Sequence, residues 1–190
     1  LPQGWKWVRL IDVAEITMGQ SPSGEYYNEA GEGMPLINGP VEFSNSSYGK
    51  TIKSKWTTEV TKTCKQDDLI ICVRGSTTGR TNVAGFDACI GRGVAAIRPY
   101  IFGSYTLFFL VSRRERFFKL GTGTTFPSVS QNEIISLVFP LPPLAEQHRI
   151  VAKVDELMML CDQLEQKQSG SQQTHRQLVS CLLITVTAAT

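Results

Sequence analysis

The sequence predicts an α+β fold: a globular head of short strands and peripheral helices, followed by a long α-helical coiled-coil spacer. Three observations carry this. Compact apolar runs such as Leu69-Ile70-Ile71-Cys72-Val73 are separated by loops rich in Gly, Ser, Pro and Asn. Residues 104–121 alternate apolar and basic positions at helical spacing. After Pro142-Pro143, apolar residues fall in alternating steps of four and three, the seam of a coiled coil. The head is assigned to residues 1–141 and the spacer to residues 142–190. With 42% hydrophobic and 19% charged residues, the chain can bury a real core, which excludes wholesale disorder.

The elements follow in order. Leu10, Val13, Ala14 and Thr17 recur at helical spacing behind Trp5 and Trp7, so a short amphipathic helix is expected there. Residues 18–35 carry loop chemistry. Residues 35–39 and 41–43 read as short strands separated by a turn. Residues 44–66 are polar, with Lys50, Lys53, Lys55, Lys62 and Lys65 around Trp56. Asp67-Asp68 reads as a turn and residues 69–73 as a buried strand. A glycine-rich loop occupies residues 74–82, and residues 83–91 and 93–100 read as two further strands. In the helical stretch at 104–121, Leu107, Leu110, Val111 and Phe118 form one side. Residues 134–140 return to strand character.

Pro142 and Pro143 suit the first turn of the terminal helix, and Glu146 suits its positive end. The helix is expected from about residue 144 to residue 168, about 37 Å at ~1.5 Å per residue. Its seam is Ile150, Val154, Leu157, Cys161 and Leu164. Gly170 costs about 1 kcal/mol relative to alanine. A second apolar stretch keeps the register at Leu178 and Leu182, so either one helix bends at Gly170 or two helices meet there.

Composition excludes several classes of function. The net charge of +2 is too small to identify a nucleic-acid partner, so any such site is a local basic patch. The five cysteines, Cys64, Cys72, Cys89, Cys161 and Cys181, form no CxxC pair and no metal-ligand spacing. Reduced thiols, no metal and a cytoplasmic setting are therefore expected. The first residues show no signal peptide, and no apolar run is long enough to span a bilayer.

No catalytic residue is assigned. Residues 75–81 approach a P-loop, but the spacing is one residue short and Arg80 stands where the phosphate-reaching lysine belongs. His148 and His175, the two histidines, both lie on the terminal helical segments, away from any evident nucleophile. The basic positions are more informative. Lys50, Lys53 and Lys55 cluster, Arg74 and Arg80 flank a loop full of hydroxyls, and Arg113, Arg114 and Arg116 follow closely. Such groups neutralise phosphates, and arginine or lysine also reads guanine edges.

Several stretches together resemble the specificity subunits of type I restriction–modification systems. The opening LPQGWKWVRLIDVAEITMGQSPSG resembles the start of a target recognition domain, and MPLING resembles the segment after it. GTTFPSVSQNEIISLVFPLPPLAEQHRIVAKVDELMMLCDQLE resembles the domain's end and the start of the subunit's spacer helix. The run from Pro140 to Gln147 that feeds Arg149-Ile150-Val151 is its most specific element.

The resemblance implies a non-catalytic, sequence-specific reader of double-stranded DNA. It would read one half of a bipartite target and scaffold methyltransferase and restriction subunits. S-adenosylmethionine, ATP and magnesium would then belong to those partners, and this chain would hold no cofactor. The match covers one recognition domain and one spacer helix. Two readings stay open: the first half of a longer subunit, or a half-size subunit that pairs with itself. In both, Ile150, Val154, Leu157, Cys161, Leu164, Leu178 and Leu182 face another helix.

From residue chemistry, the DNA contacts are assigned to Lys50, Lys53, Lys55, Arg74, Ser76, Thr77, Arg80 and Arg92. Residues 121–130, rich in Gly, Thr and Ser, are either a phosphate approach or a structural turn. Two rival readings remain: a helical assembly module without sequence-specific DNA binding, and a phosphate- or nucleotide-binding protein using residues 75–81.

Overall fold

The computed structural model describes residues 2–120 and 128–187, with side chains for residues 2–119 and 128–173. The chain divides into two compact units, Leu1–His148 and Arg149–Thr190. In chain order the strands are β1 (Lys6–Arg9), β2 (Ala14–Met18), β3 (Tyr27–Asn28), β4 (Met34–Ile37), β5 (Trp56–Thr57) and β6 (Thr63–Cys64). They continue with β7 (Leu69–Cys72), β8 (Thr81–Val83), β9 (Ala88–Ile90), β10 (Val94–Pro99) and β11 (Val138–Leu141). The helices are α1 (Gly103–Ser112), α2 (Arg114–Leu120), α3 (Gln131–Ile135) and α4 (Leu144–Thr187).

Among the described residues these strands form three sheets. A four-stranded antiparallel sheet has the order β2-β10-β7-β8. A five-stranded sheet has the order β3-β5-β4-β9-β6, with β4 and β9 parallel. A separate pair joins β1 to β11. Register explains the core. Ile70 pairs with Ala96 and Cys72 with Val94, so these four share one face of the larger antiparallel sheet. They form one buried cluster with Ile37, Cys64, Ala88 and Ile90 of the five-stranded sheet. The opposite face, with Leu69, Ile71, Ala95 and Ile97, is also buried. There α1 packs on β10 and β8, and α3 packs on β2. β7 is therefore covered on both sides, which is why its sequence is an unbroken apolar run without alternation.

Several expected elements differ. Leu10, Val13 and Ala14 are buried as their spacing required, but no amphipathic helix forms. Leu10–Asp12 makes a single 3₁₀ turn, and Ala14–Met18 then pairs with β10. The open edge of β10 offers a full ladder of hydrogen bonds, and such tertiary pairing outweighs a weak helical spacing. Residues 41–43 do not form a strand, because Pro40–Glu42 is a 3₁₀ turn with proline in its first turn. Residues 81–83, read as the loop's end and the next strand's start, form β8.

The helical stretch after residue 103 is two helices that break at Arg113, and Phe117 is buried while Phe118 is 41% exposed. The strand expected at 134–140 begins only at Val138. Before it, Ser130 caps α3: its backbone N–H donates to Glu133 Oε2 at 2.6 Å, and its hydroxyl accepts from the Glu133 N–H at 3.4 Å.

α4 continues through Gly170 to Thr187, a length of 44 residues. That is about 66 Å at ~1.5 Å per residue, well beyond the length expected from residues 144–168. One glycine does not interrupt a helix whose every neighbouring hydrogen bond is retained. The first turn of α4 belongs to the first unit. Gln147 accepts from the Phe102 N–H at 3.3 Å and donates to the Pro142 carbonyl at 3.0 Å. The His148 ring lies 4.1 Å from that of Phe102, centroid to centroid.

Candidate nucleic-acid interface

The site grows from the end of β7. Burial is continuous through Val73, and Arg74 is the first exposed residue after it. Val73 is held on both sides: its N–H donates to the Gly93 carbonyl at 2.9 Å, and its carbonyl accepts from the Val129 N–H at 2.8 Å. Those two bonds bring the turn at residues 91–93 and the segment at 128–130 beside Arg74. Arg74 itself pairs antiparallel with Ser128.

The turn carrying Arg92 is pressed against Asn38. A Cβ on Gly93 would lie 2.4 Å from the Asn38 carbonyl oxygen, so only glycine fits. The Arg92 N–H donates to Ser21 Oγ at 3.0 Å, which fixes the turn and leaves its side chain exposed. Arg74 and Arg92 consequently line one cleft of about 450 Å³ with Gly19, Ser128, Gln131 and Glu133. Two arginines, a glutamine and serine hydroxyls line the same space with the Glu133 carboxylate, so donors outnumber the one anionic acceptor, a set suited to base edges.

The other assigned residues lie elsewhere. Arg80 donates to the Ser44 carbonyl at 2.8 Å, and its guanidinium sits 5.8 Å from the Phe43 ring centroid. It braces the chain at 43–44 from a half-buried position. Lys50 pairs with Asp67 at 3.0 Å, and Lys53 lies 5.1 Å from the Phe86 ring centroid. Lys55 is half-buried, and its carbonyl accepts from the Leu36 N–H at 2.8 Å. Ser76 is exposed at the tip of the glycine-rich loop, whereas Thr77 is half-buried with its hydroxyl against the Cys72 thiol.

That thiol is inert at neutral pH: burial pushes it up to about 11. The loop leads into β8 instead of a helix, so it lacks the helix N-terminus that a phosphate-cradling P-loop requires. Of the stretch at 121–130, residues 121–127 lie outside the described residues. Gln131 and Glu133 were not anticipated as lining residues. The Ser130-Gln131-Asn132-Glu133 capping pattern was the available signal for the helix that presents them.

On α4, Leu157 is 50% exposed and Leu164 65% exposed, and Cys161 is exposed. Ile150 and Val154 are half-buried. The side chains of Leu178, Leu182 and His175 lie outside the described residues. Met158, Met159 and Leu160 are also exposed, so the apolar surface extends beyond a single seam. Among the described residues no helix is long and apolar enough to cross a membrane.

Comparison with known proteins places this architecture. The chain is 32% identical over 202 residues to the EcoAI type I restriction enzyme specificity subunit of Escherichia coli, a match covering 98% of this chain and 33% of that protein. It is 29% identical over 188 residues to a protein named as the MjaX specificity subunit of Methanocaldococcus jannaschii, covering 96% of this chain and 43% of the relative. The crystal structure of the HsdS subunit from Thermoanaerobacter tengcongensis matches with a TM-score of 0.79 and 35% identity, over 88% of this chain and 40% of that one. The chain therefore spans roughly a third to two-fifths of the length of these relatives. A family model, type I restriction modification DNA specificity domain, matches residues 2–171, and the chain belongs to that family.

Proposed function

We propose that this chain is a DNA-reading part of a type I restriction–modification complex, in which one head reads one half of a bipartite target. It performs no chemistry itself. Methyltransferase subunits would supply S-adenosylmethionine and the methylating site, and a restriction subunit would supply ATP- and magnesium-dependent cleavage. The observation that carries the reading is the joint exposure of Arg74 and Arg92 in one cleft, on a chain whose family is defined by DNA specificity. Arginine is the most frequent reader of guanine O6 and N7, and two such forks beside Gln131 suit a short base sequence.

The experiment is a titration of target and non-target duplexes with the chain bound to its methyltransferase partner. Arg74→Ala or Arg92→Ala is expected to weaken target binding by ~1–3 kcal/mol and to leave non-target binding nearly unchanged. If both variants retain wild-type preference for the target, the cleft does not read bases.

α4 supports the assembly half of the proposal. Its exposed leucines and methionines need cover, and a second spacer helix would occupy the seam at Leu157, Cys161 and Leu164. The apolar positions off that seam, Met158 to Leu160, favour contact with a further partner subunit. An assembly module without DNA reading would keep these contacts but show no difference between target and non-target duplexes.

A further inference from the structure

The densest positive charge on the chain lies outside the arginine cleft. Residues 113–119 hold four cations, Arg113, Arg114, Arg116 and Lys119, and one carboxylate, Glu115. This segment carries a net +3 while the whole chain carries +2, so the remaining residues together carry −1. The positive charge is concentrated where α2 meets the glycine-rich loop.

Packing holds this arrangement in place. Phe117 is 1% exposed and anchors α2. Gly79 has φ +84°, and a Cβ there would lie 2.8 Å from the Arg114 carbonyl oxygen and 3.1 Å from Phe117 Cβ. The loop and the helix therefore touch through a glycine that no other residue replaces without strain. Arg113 lies 5.1 Å from the Phe109 ring centroid, which limits its rotamers.

Two shallow depressions result. One, of about 370 Å³, is lined by Ser76 and Thr78 of the loop with Arg114 and Lys119. The other, of about 380 Å³, is lined by Arg113, Arg116 and Lys119. Glu115 and Lys119 border both, so they form one continuous basic surface. Arg114 and Arg116 are both exposed.

We infer that this surface is a phosphate-holding site for the DNA backbone, separate in role from the Arg74–Arg92 cleft. The inference rests on the DNA-reading function proposed above. Ser76 and Arg74 are two residues apart, at most about 7 Å of extended chain, which keeps the two sites adjacent. The depressions are shallow, open and cationic, with a hydroxyl donor at the rim. Those features suit phosphate oxygens along a groove, and a base edge would need a narrower, more directional set. Contacts of this kind hold the duplex in register without reading its sequence.

The test compares the wild-type chain with the double variant Arg114→Gln/Arg116→Gln and with Arg114→Lys/Arg116→Lys. Each is bound to its methyltransferase partner and titrated with target and non-target duplexes over a salt series. When the glutamine pair leaves two phosphates without a cation, the slope of log K against log salt should fall by about 1.8, at ~0.9 per phosphate. Affinity for both duplexes should fall by the same factor, leaving their ratio unchanged, and the lysine pair should restore most of it. An unchanged slope, or a loss confined to the target duplex, overturns the inference. Loss of the methyltransferase partner with an unchanged DNA slope also overturns it, and assigns the surface to an acidic protein instead. If wild-type complex shows no preference for target DNA, the proposed function fails and this inference fails with it. Wild-type preference with an indifferent glutamine variant removes the phosphate site alone.

Discussion

Asp67 and Asp68 are neighbours with unlike roles. Asp67 has φ +68° and makes an exposed pair with Lys50, in which both side chains are at least 60% exposed. Such pairs contribute little, about 0–1 kcal/mol. The Asp68 side chain is only 4% exposed and accepts two bonds from Arg98, both at 2.8 Å, as well as the Lys65 N–H at 2.7 Å. Arg98 reaches Glu15 with its remaining nitrogen at 3.1 Å, so three chain segments meet at one guanidinium. Asp68 first and desolvation second set the balance that holds the Arg98 guanidinium above its ordinary value. Asp68→Ala removes a fork–fork contact with Arg98 and the acceptor of the Lys65 N–H. A loss of about 2–3 kcal/mol is expected by denaturant unfolding, whereas Asp67→Ala should shift the midpoint much less. Equal effects of the two substitutions would show that burial does not separate them.

Among elements, α4 differs in kind from the rest. The first unit buries a core between its sheets and leaves its exposed apolar residues, such as Trp7, Val41 and Tyr100, scattered along the chain, while α4 displays Leu157, Met158, Met159, Leu160 and Leu164 close together at 40–65% exposure. That much uncovered apolar surface on one helix is the feature behind the pairing proposed above. Burying one Leu or Val side chain contributes about 1.5–3 kcal/mol, so a few seam positions sustain association. Leu157→Glu places a charge in the middle of that seam. It should convert a self-associating chain to monomer in sedimentation at tens of micromolar, with the fold of the head unchanged. A monomer before substitution, unaltered by it, would remove self-pairing from the proposal.

At the scale of the whole molecule, the question is what the long helix spaces. Alone it measures about 66 Å at ~1.5 Å per residue, near two DNA turns of about 34–36 Å each. A shorter helix ending near residue 168 would have matched one turn. Two copies paired through α4 would present two identical heads, so methylated adenines should fall in inverted halves of a palindromic bipartite site. Sequencing the methylome of cells given this chain and its methyltransferase partner checks this directly. An asymmetric site would show that a different second head normally stands beside this one.

Part of this molecule is legible in its sequence alone. Leu69 to Val73 reads as a buried strand because both its faces are covered, so no polar alternation dilutes the run. The paired prolines and the seam after them announce α4 for the same local reason. Ala14 to Thr17 reads wrongly as helix because its pairing with β10 joins residues some eighty positions apart in the chain, and helical spacing is the only local cue. The candidate site follows the same rule. Its arginines stand out by type and by their flanking glycines, yet Arg74 and Arg92 share a cleft only because the Val73 N–H bonds to Gly93 across the sheet. Arg80, alike in sequence setting, is turned to brace Ser44 and Phe43. Local chemistry determined the apolar runs and the start of the long helix, and the resemblance of whole motifs pointed to the family. Which cations stand together was decided by strand register and close glycine packing, both of which are non-local contacts.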